Sequence, residues 1–218
     1  MTTLRETSEH SGGAINILTA AEPLFAEHGY EGTSLNAIAK KAGVSKANIF
    51  HHFDNKESLY LHVLKQASSE MSALIDELEN TGDSAQDQIK QYTQQHLQNL
   101  FTKSHITKLI LREMQNTESR HNVRMAQDVL GGNFSRFVAL LKNSQENGSI
   151  RDDIPAAIIA MSLVAGNVFY FQINELLEQF PDLSSARKPQ DYSAMLADIT
   201  LNGILNDEQN LTSTHTAR

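Results

Sequence analysis

The 218-residue chain contains no cysteine and only four prolines. Without cysteine there is no disulfide framework, no cysteine-ligated zinc or iron–sulfur cluster and no thiol catalysis, and a cytoplasmic location is expected. Positive charge is also scarce: 18 Lys and Arg stand against 26 Asp and Glu, a formal net charge of -8. Such a balance opposes wholesale coating of nucleic acid or anionic membrane, but leaves room for a local basic site. The opening stretch MTTLRETSEHSGG has no apolar core of the kind a secretory signal needs. Long hydrophobic runs are missing too, with one exception. From Ile154 to Asn174 no residue is charged, a length near that of a membrane span. Pro155, Ser162, Gly166, Asn167 and Gln172 dilute that run and its basic flanking is poor, so it reads as a helix buried in a bundle or a subunit interface.

Chemistry-bearing motifs are absent as well. There is no G-x-S-x-G, no phosphate-binding loop and no Rossmann glycine pattern, and His28, His62, His96, His105 and His121 lack metal-ligand spacing. Neither an enzyme nor a resident cofactor or metal is expected.

No segment alternates strictly enough for a sheet strand, whereas apolar residues recur at three and four spacing, so the chain reads as all-α. A first helix carries Ala14, Ile17, Leu18, Ala21, Leu24 and Phe25 on one stripe and stops near His28-Gly29, with Pro23 expected to kink it. Thr33-Ser34 offers an N-cap for a short helix from Leu35 to Ala42, closed by Gly43; Ser45 caps the next, Lys46 to about Phe53. Asp54 and Glu57 have capping-box spacing ahead of one long helix reaching Leu78. Further helices are expected at about 84–101, 104–117, 120–146, 155–180 and 190–206, with a break near Gly131-Gly132 and loops at 147–149 and 181–189. The ends, 1–11 and 207–218, lack apolar anchors and read as flexible tails.

Function is carried by Ser34 to Lys56, SLNAIAKKAGVSKANIFHHFDNK. Leu35, Ile38, Ala42, Val44, Ile49 and Phe53 fall on an inner face; Ala39 is small where two helices cross, and Gly43 admits a tight turn. That is a helix-turn-helix, and it leaves Lys46, Ala47, Asn48, Phe50 and His51 on the outer face of the second helix. Short polar residues at a helix N-terminus suit base-edge reading in the major groove. Charge agrees: four lysines (40, 41, 46 and 56) against Asp54 give this segment +3, leaving -11 on the rest. Solvated helix faces remain the simplest account of Lys40 and Lys41.

The run from Ile17 to Leu64 resembles the DNA-binding domain of the TetR family of bacterial transcriptional regulators. The resemblance rests on A-A-x-x-L-F-A-x-x-G-Y, T-S-[apolar]-x-x-I-A, A-G-V-S-K and H-H-F-x-N-K-E-x-L-Y as they stand here. It implies a three-helix helix-turn-helix head at 12–60 and a larger helical body at 61–206 that binds a ligand and dimerises. Carried over, Ser34 holds a phosphate, Asn36 lies at a base-contacting spot, and Lys46, Ala47 and Asn48 face bases or adjacent backbone. His51, His52 and Lys56 meet phosphates. Phe50 stands where many relatives have Tyr, which removes a hydroxyl contact and leaves van der Waals contact with the sugar–phosphate chain. In the body, Phe101, His105, Leu109, Arg112, Met114, Phe134, Phe137, Asn167 and Phe171 are candidates to line an effector pocket, ordinary core packing being the alternative for the apolar ones. The implied partners are an operator in double-stranded DNA, a small-molecule effector and a second copy of the chain; no membrane is implied. The implied function is repression released by that effector. Activation, an effector-independent structural role on DNA, and an enzyme carrying a helix-turn-helix remain as alternatives.

Overall fold

The computed structural model describes residues 12–67, 69–115 and 131–204, and among these every regular element is helical. The expected tails 1–11 and 207–218, and all of the expected helix 120–146 before Gly131, lie outside the described residues. The chain groups into two compact units, Met1–Ala67 with His105–Val129 and Ser68–Ser104 with Leu130–Arg218. His105 onward therefore clusters with the N-terminal segment, which a division at residue 60 assigns to the body.

In the first unit α1 (Gly12–Gly32), α2 (Leu35–Ala42), α3 (Lys46–His52), α4 (Lys56–Ala67) and α7 (Ser104–Gln115) are the helices. The apolar stripe of α1 is buried as expected: Ile17, Ala21 and Phe25 are fully enclosed with Ile38, Leu59, Tyr60 and Leu64. The break in α1 falls at Gly29 (φ 72°, ψ −178°) instead of Pro23, whose surroundings keep helical dihedrals. Proline costs a helix one hydrogen bond, whereas this backbone region is open to glycine almost alone. Thr33, buried behind the break, shares its hydroxyl hydrogen between the Gly29 (2.8 Å) and Leu24 (3.0 Å) carbonyls. The α2 caps match the sequence expectation: the Ser34 hydroxyl accepts from the Ala37 N–H at 3.1 Å, and Gly43 is left-handed (φ 67°, ψ 29°). Ser45 caps α3 by accepting from the Asn48 N–H. At α4 the cap is Asn55, whose Oδ1 accepts from the Ser58 N–H at 2.8 Å, one residue beyond the expected Asp54.

The second unit holds α5 (Ser69–Asn80), α6 (Ala85–Thr102), α8 (Gly131–Glu146), α9 (Ala156–Ile173) and α10 (Pro189–Ile204). Helix is thus present on both sides of Ser68, which itself lies outside the described residues. The expected helix to residue 180 turns 3-10 at Asn174–Gln179, and the expected loop after Pro181 is a second 3-10 segment, Pro181–Ala186. α9 packs on α6, α8 and α10, burying Ile159, Ala160 and Leu163 among Ile75, Leu78, Ile89, Phe137 and Leu141. The stretch Ala156–Gln179 is long and apolar enough by composition to cross a membrane, with mean hydropathy 1.7. Its outer face stays open: Ile158, Met161 and Phe169 are about half exposed, as is Met195 in part and Ile199 at 72 % on α10. Arg136 joins α8 to α5 through Asp76 (2.6 Å) and Glu79 (2.7 Å). Arg151 reaches the Gly203 carbonyl near the end of α10 at 3.0 Å, satisfying one of the orphan acceptors there.

Candidate nucleic-acid interface

The α2–Gly43–α3 motif is fixed from three sides. Ile38 and Ile49 anchor the two helices in the core, Ala39 sits buried at their crossing, and the Asn16 side-chain amide donates to the Ala42 carbonyl at 2.7 Å. That last bond ties α1 to the C-terminal end of α2 just before the turn. Nothing in the local pattern of α1 announced it, because its acceptor lies 26 residues away.

With the inner face so committed, Ser34, Asn36, Lys46, Ala47, Phe50 and His51 are exposed together around α2 and α3. Phe50 keeps 47 % of its surface open. The Lys46 ammonium stands 5.8 Å from the centre of the Phe50 ring one helical turn later. Lys40 and Lys41 are exposed at the end of α2, where positive charge also complements the helix dipole.

Three expected DNA-facing residues are placed differently. Asn48 is half-buried and its Oδ1 lies against the protein without a hydrogen-bond donor. His52 turns back onto the first turn of α1: a methyl group on Gly13 would come within 2.9 Å of its Nε2. Its ring meets His51 edge-on at 5.1 Å, and Phe53 in turn meets His62 at 5.3 Å. Lys56, half-buried at the start of α4, has its Nζ 4.3 Å from the centre of the Tyr30 ring. Tyr30 belongs to the G-Y pattern at the end of α1, yet its position over Lys56 was not evident from spacing.

The nine pocket candidates are distributed over both units. In the first, Leu109 is buried, His105 and Met114 are exposed, and the Arg112 guanidinium lies against Gly29, its Nη2 2.8 Å from where a Cβ would stand. In the second, Phe137 is sealed in the core with its ring stacked on Tyr92, and Phe134 packs beside the same cluster. Phe171 meets Phe101 edge-on at 5.2 Å. Asn167 is fully buried and donates to the Thr93 carbonyl at 2.8 Å and to Nδ1 of His96 at 3.1 Å; its Oδ1 has no donor. Burial holds the His96 imidazole neutral, its pKa pushed down to about 4. A cleft of about 110 Å³ opens elsewhere in this unit, lined by Gln94, Leu97, Gln98, Phe101, Thr102, Pro189, Gln190 and Ser193, so Phe101 is the candidate that reaches it. Among the described residues no group of three or more His, Asp or Glu is placed to hold a metal ion.

Residues 17–63 match the family model described as bacterial regulatory proteins, tetR family. The HTH-type transcriptional repressor AcnR of Corynebacterium diphtheriae is 30 % identical over 148 residues, 66 % of this chain and 70 % of that protein. The HTH-type transcriptional regulator RutR of Escherichia coli is 50 % identical over 50 residues, 23 % of this chain and 24 % of that protein. Among solved structures, the transcriptional regulator FadR from Bacillus subtilis in complex with stearoyl-CoA superposes with a TM-score of 0.69 at 17 % identity, covering 87 % of this chain and 98 % of that one.

Proposed function

Because the chain belongs to the TetR family of bacterial transcriptional regulators and is a DNA-binding regulator, not an enzyme, we propose that it acts as a cytoplasmic repressor released from its operator by a small molecule. The observation that carries this is the exposed face of Lys46, Ala47, Phe50 and His51 on α3, held by the capped α2–Gly43 turn. A helix presented in this way enters the major groove by its N-terminal turn. Ser34 and Lys56 flank it as backbone contacts, Asn36 lies at a base-contacting spot, Asn48 adds an amide, and His51 and His52 supply phosphate donors.

A homodimer is supported by the open apolar residues of α9 and α10, Ile158, Met161, Phe169, Met195 and Ile199, all of them exposed. A two-fold pairing of these faces forms a four-helix interface. It sets two heads on a palindromic operator with half-sites about 34 Å, or a multiple of it, apart. The same pairing accounts for the apolar run 156–179 without a membrane.

Repression is supported by the repressor named among the relatives, and release by an effector by the FadR structure, solved with stearoyl-CoA. Of the candidate lining residues, Phe101 borders the cleft beside Gln94, Gln98 and Gln190, and that cleft is the proposed effector site. The effector acts by population shift, favouring a state of the body in which the head spacing no longer fits adjacent major grooves.

The test is selection of fragmented genomic DNA on the full-length protein. The expected fragments share one palindromic sequence, and a panel of metabolites that raise the melting temperature contains one that releases them. Fragments without a shared sequence overturn the regulator reading; a shared sequence with no releasing metabolite overturns the effector.

A further inference from the structure

Lysine is a costly residue with which to hold a phosphate. Its four-carbon stem is flexible, and fixing it on binding spends rotamer entropy that subtracts from affinity. A protein that orders the ammonium beforehand avoids that loss. A neutral aromatic face fixes the cation and leaves its outward N–H groups available to a ligand.

Lys56 has such a face beside it. It is the first residue of α4, a twelve-residue helix whose N-terminal dipole itself favours an anion. Its Nζ lies 4.3 Å from the centre of the Tyr30 ring, well within cation–π distance and closer than the 5.8 Å of Lys46 from Phe50. The ring is itself held. Phe25 stacks on it at 6.4 Å with planes 9° apart, and Tyr60 meets it at 5.1 Å, both fully buried. The backbone that delivers it is equally constrained, because the break at Gly29 immediately precedes it and Thr33 bonds the Gly29 carbonyl. Burial and the nearby carboxylates of Glu57 and Glu31 keep the phenol protonated, so the ring meets Lys56 as a neutral face.

We propose that Tyr30 is a positioning residue for DNA binding: its ring, packed against the touching pair Phe25 and Tyr60, holds the Lys56 ammonium ready for a backbone phosphate at the N-terminus of α4. The proposal rests on Lys56 being a phosphate contact. Tyr30 itself touches no DNA in this scheme; it acts through Lys56.

A double-mutant cycle on the full-length protein separates the two statements. The probe is a mixed-sequence DNA duplex, since a phosphate contact does not depend on sequence, with affinity followed across a salt series. Lys56→Ala is expected to weaken binding and reduce the slope of log affinity against log salt by about 1. Tyr30→Phe keeps the aromatic face and leaves affinity within about twofold, while Tyr30→Leu weakens it about fivefold. In the Lys56→Ala background Tyr30→Leu adds nothing further. If the two losses multiply, Tyr30 acts on the fold and the positioning role is overturned. If Lys56→Ala changes neither affinity nor slope, the phosphate contact fails first and the positioning role falls with it. A readout that needs no folded Leu variant is the proton spectrum of the free wild type. Ring-current displacement of the Lys56 Cε protons supports the arrangement, and unshifted protons overturn it.

Discussion

Asn167 donates its side-chain amide to Nδ1 of His96 across 3.1 Å, inside the body and 71 residues away in sequence. The bond requires an unprotonated Nδ1, and burial already holds His96 in its neutral form, with a pKa pushed down to about 4 from 6.5. Unfolded, the same imidazole takes a proton below about pH 6.5. Between those values the unfolded state binds the extra proton, so this group makes stability fall with acidity, by up to about 1.4 kcal/mol per pH unit. Thermal melts of the wild type and of His96→Gln from pH 7 to pH 4 check this. The variant is expected to lose less of its melting temperature over that window, and parallel curves count against the assignment.

At Gly166, α9 comes close to α10. A methyl group there stands 2.9 Å from Cδ2 of Leu196 and 3.2 Å from the Tyr192 hydroxyl, which donates to the Gly166 carbonyl at 2.8 Å. Leu196 and Tyr192 must both give way, so overpacking of about 1–3 kcal/mol is expected to outweigh the helix-propensity gain of about 0.5–1 kcal/mol in Gly166→Ala. Gly132→Ala meets nothing within 4 Å in α8 and is expected to stabilise by about 0.5–1 kcal/mol through helix propensity. Denaturant melts of the two variants should move in opposite directions.

The break in α1 supplies a third comparison. At Gly29, φ 72° and ψ −178° lie where side chains are strained, and Arg112 Nη2 occupies the space a Cβ needs. Arg112 sits at the end of a flexible stem and can withdraw, so backbone strain dominates: Gly29→Ala is expected to cost about 1–3 kcal/mol. Adding Arg112→Ala restores little of it. Recovery of most of the loss in that double variant shows instead that the clash was the main cost.

How much of this was legible beforehand follows the range of each interaction. The α2–Gly43–α3 motif was, because Ser34, Gly43 and Ser45 act on neighbours three to five residues away. The Asn55 cap was missed by one residue because Asp54 and Asn55 are both good caps and the choice depends on how the chain leaves α3. Asn16 with Ala42, Asn167 with Thr93, and Tyr30 with Lys56 were not legible, because their partners are far along the chain and no periodicity encodes them. The grouping of His105 onward with the N-terminal helices is likewise a tertiary outcome that local pattern does not contain. Of the five residues that spacing put on the outer face of α3, Lys46, Ala47, Phe50 and His51 are exposed and Asn48 is half-buried, and spacing could not anticipate that His52 turns toward Gly13.

The most direct test of DNA reading by α3 is the ratio of affinities for a selected operator and a mixed-sequence duplex at one fixed salt concentration. It is measured by fluorescence anisotropy for the wild type and for Lys46→Ala with Asn48→Ala. The wild type is expected to prefer the operator by about a thousandfold or more. The double variant should lose on the order of 1–3 kcal/mol per residue of operator binding while its binding to the mixed duplex falls far less. Equal loss on both duplexes, or an operator preference that survives both substitutions, contradicts sequence reading by this helix.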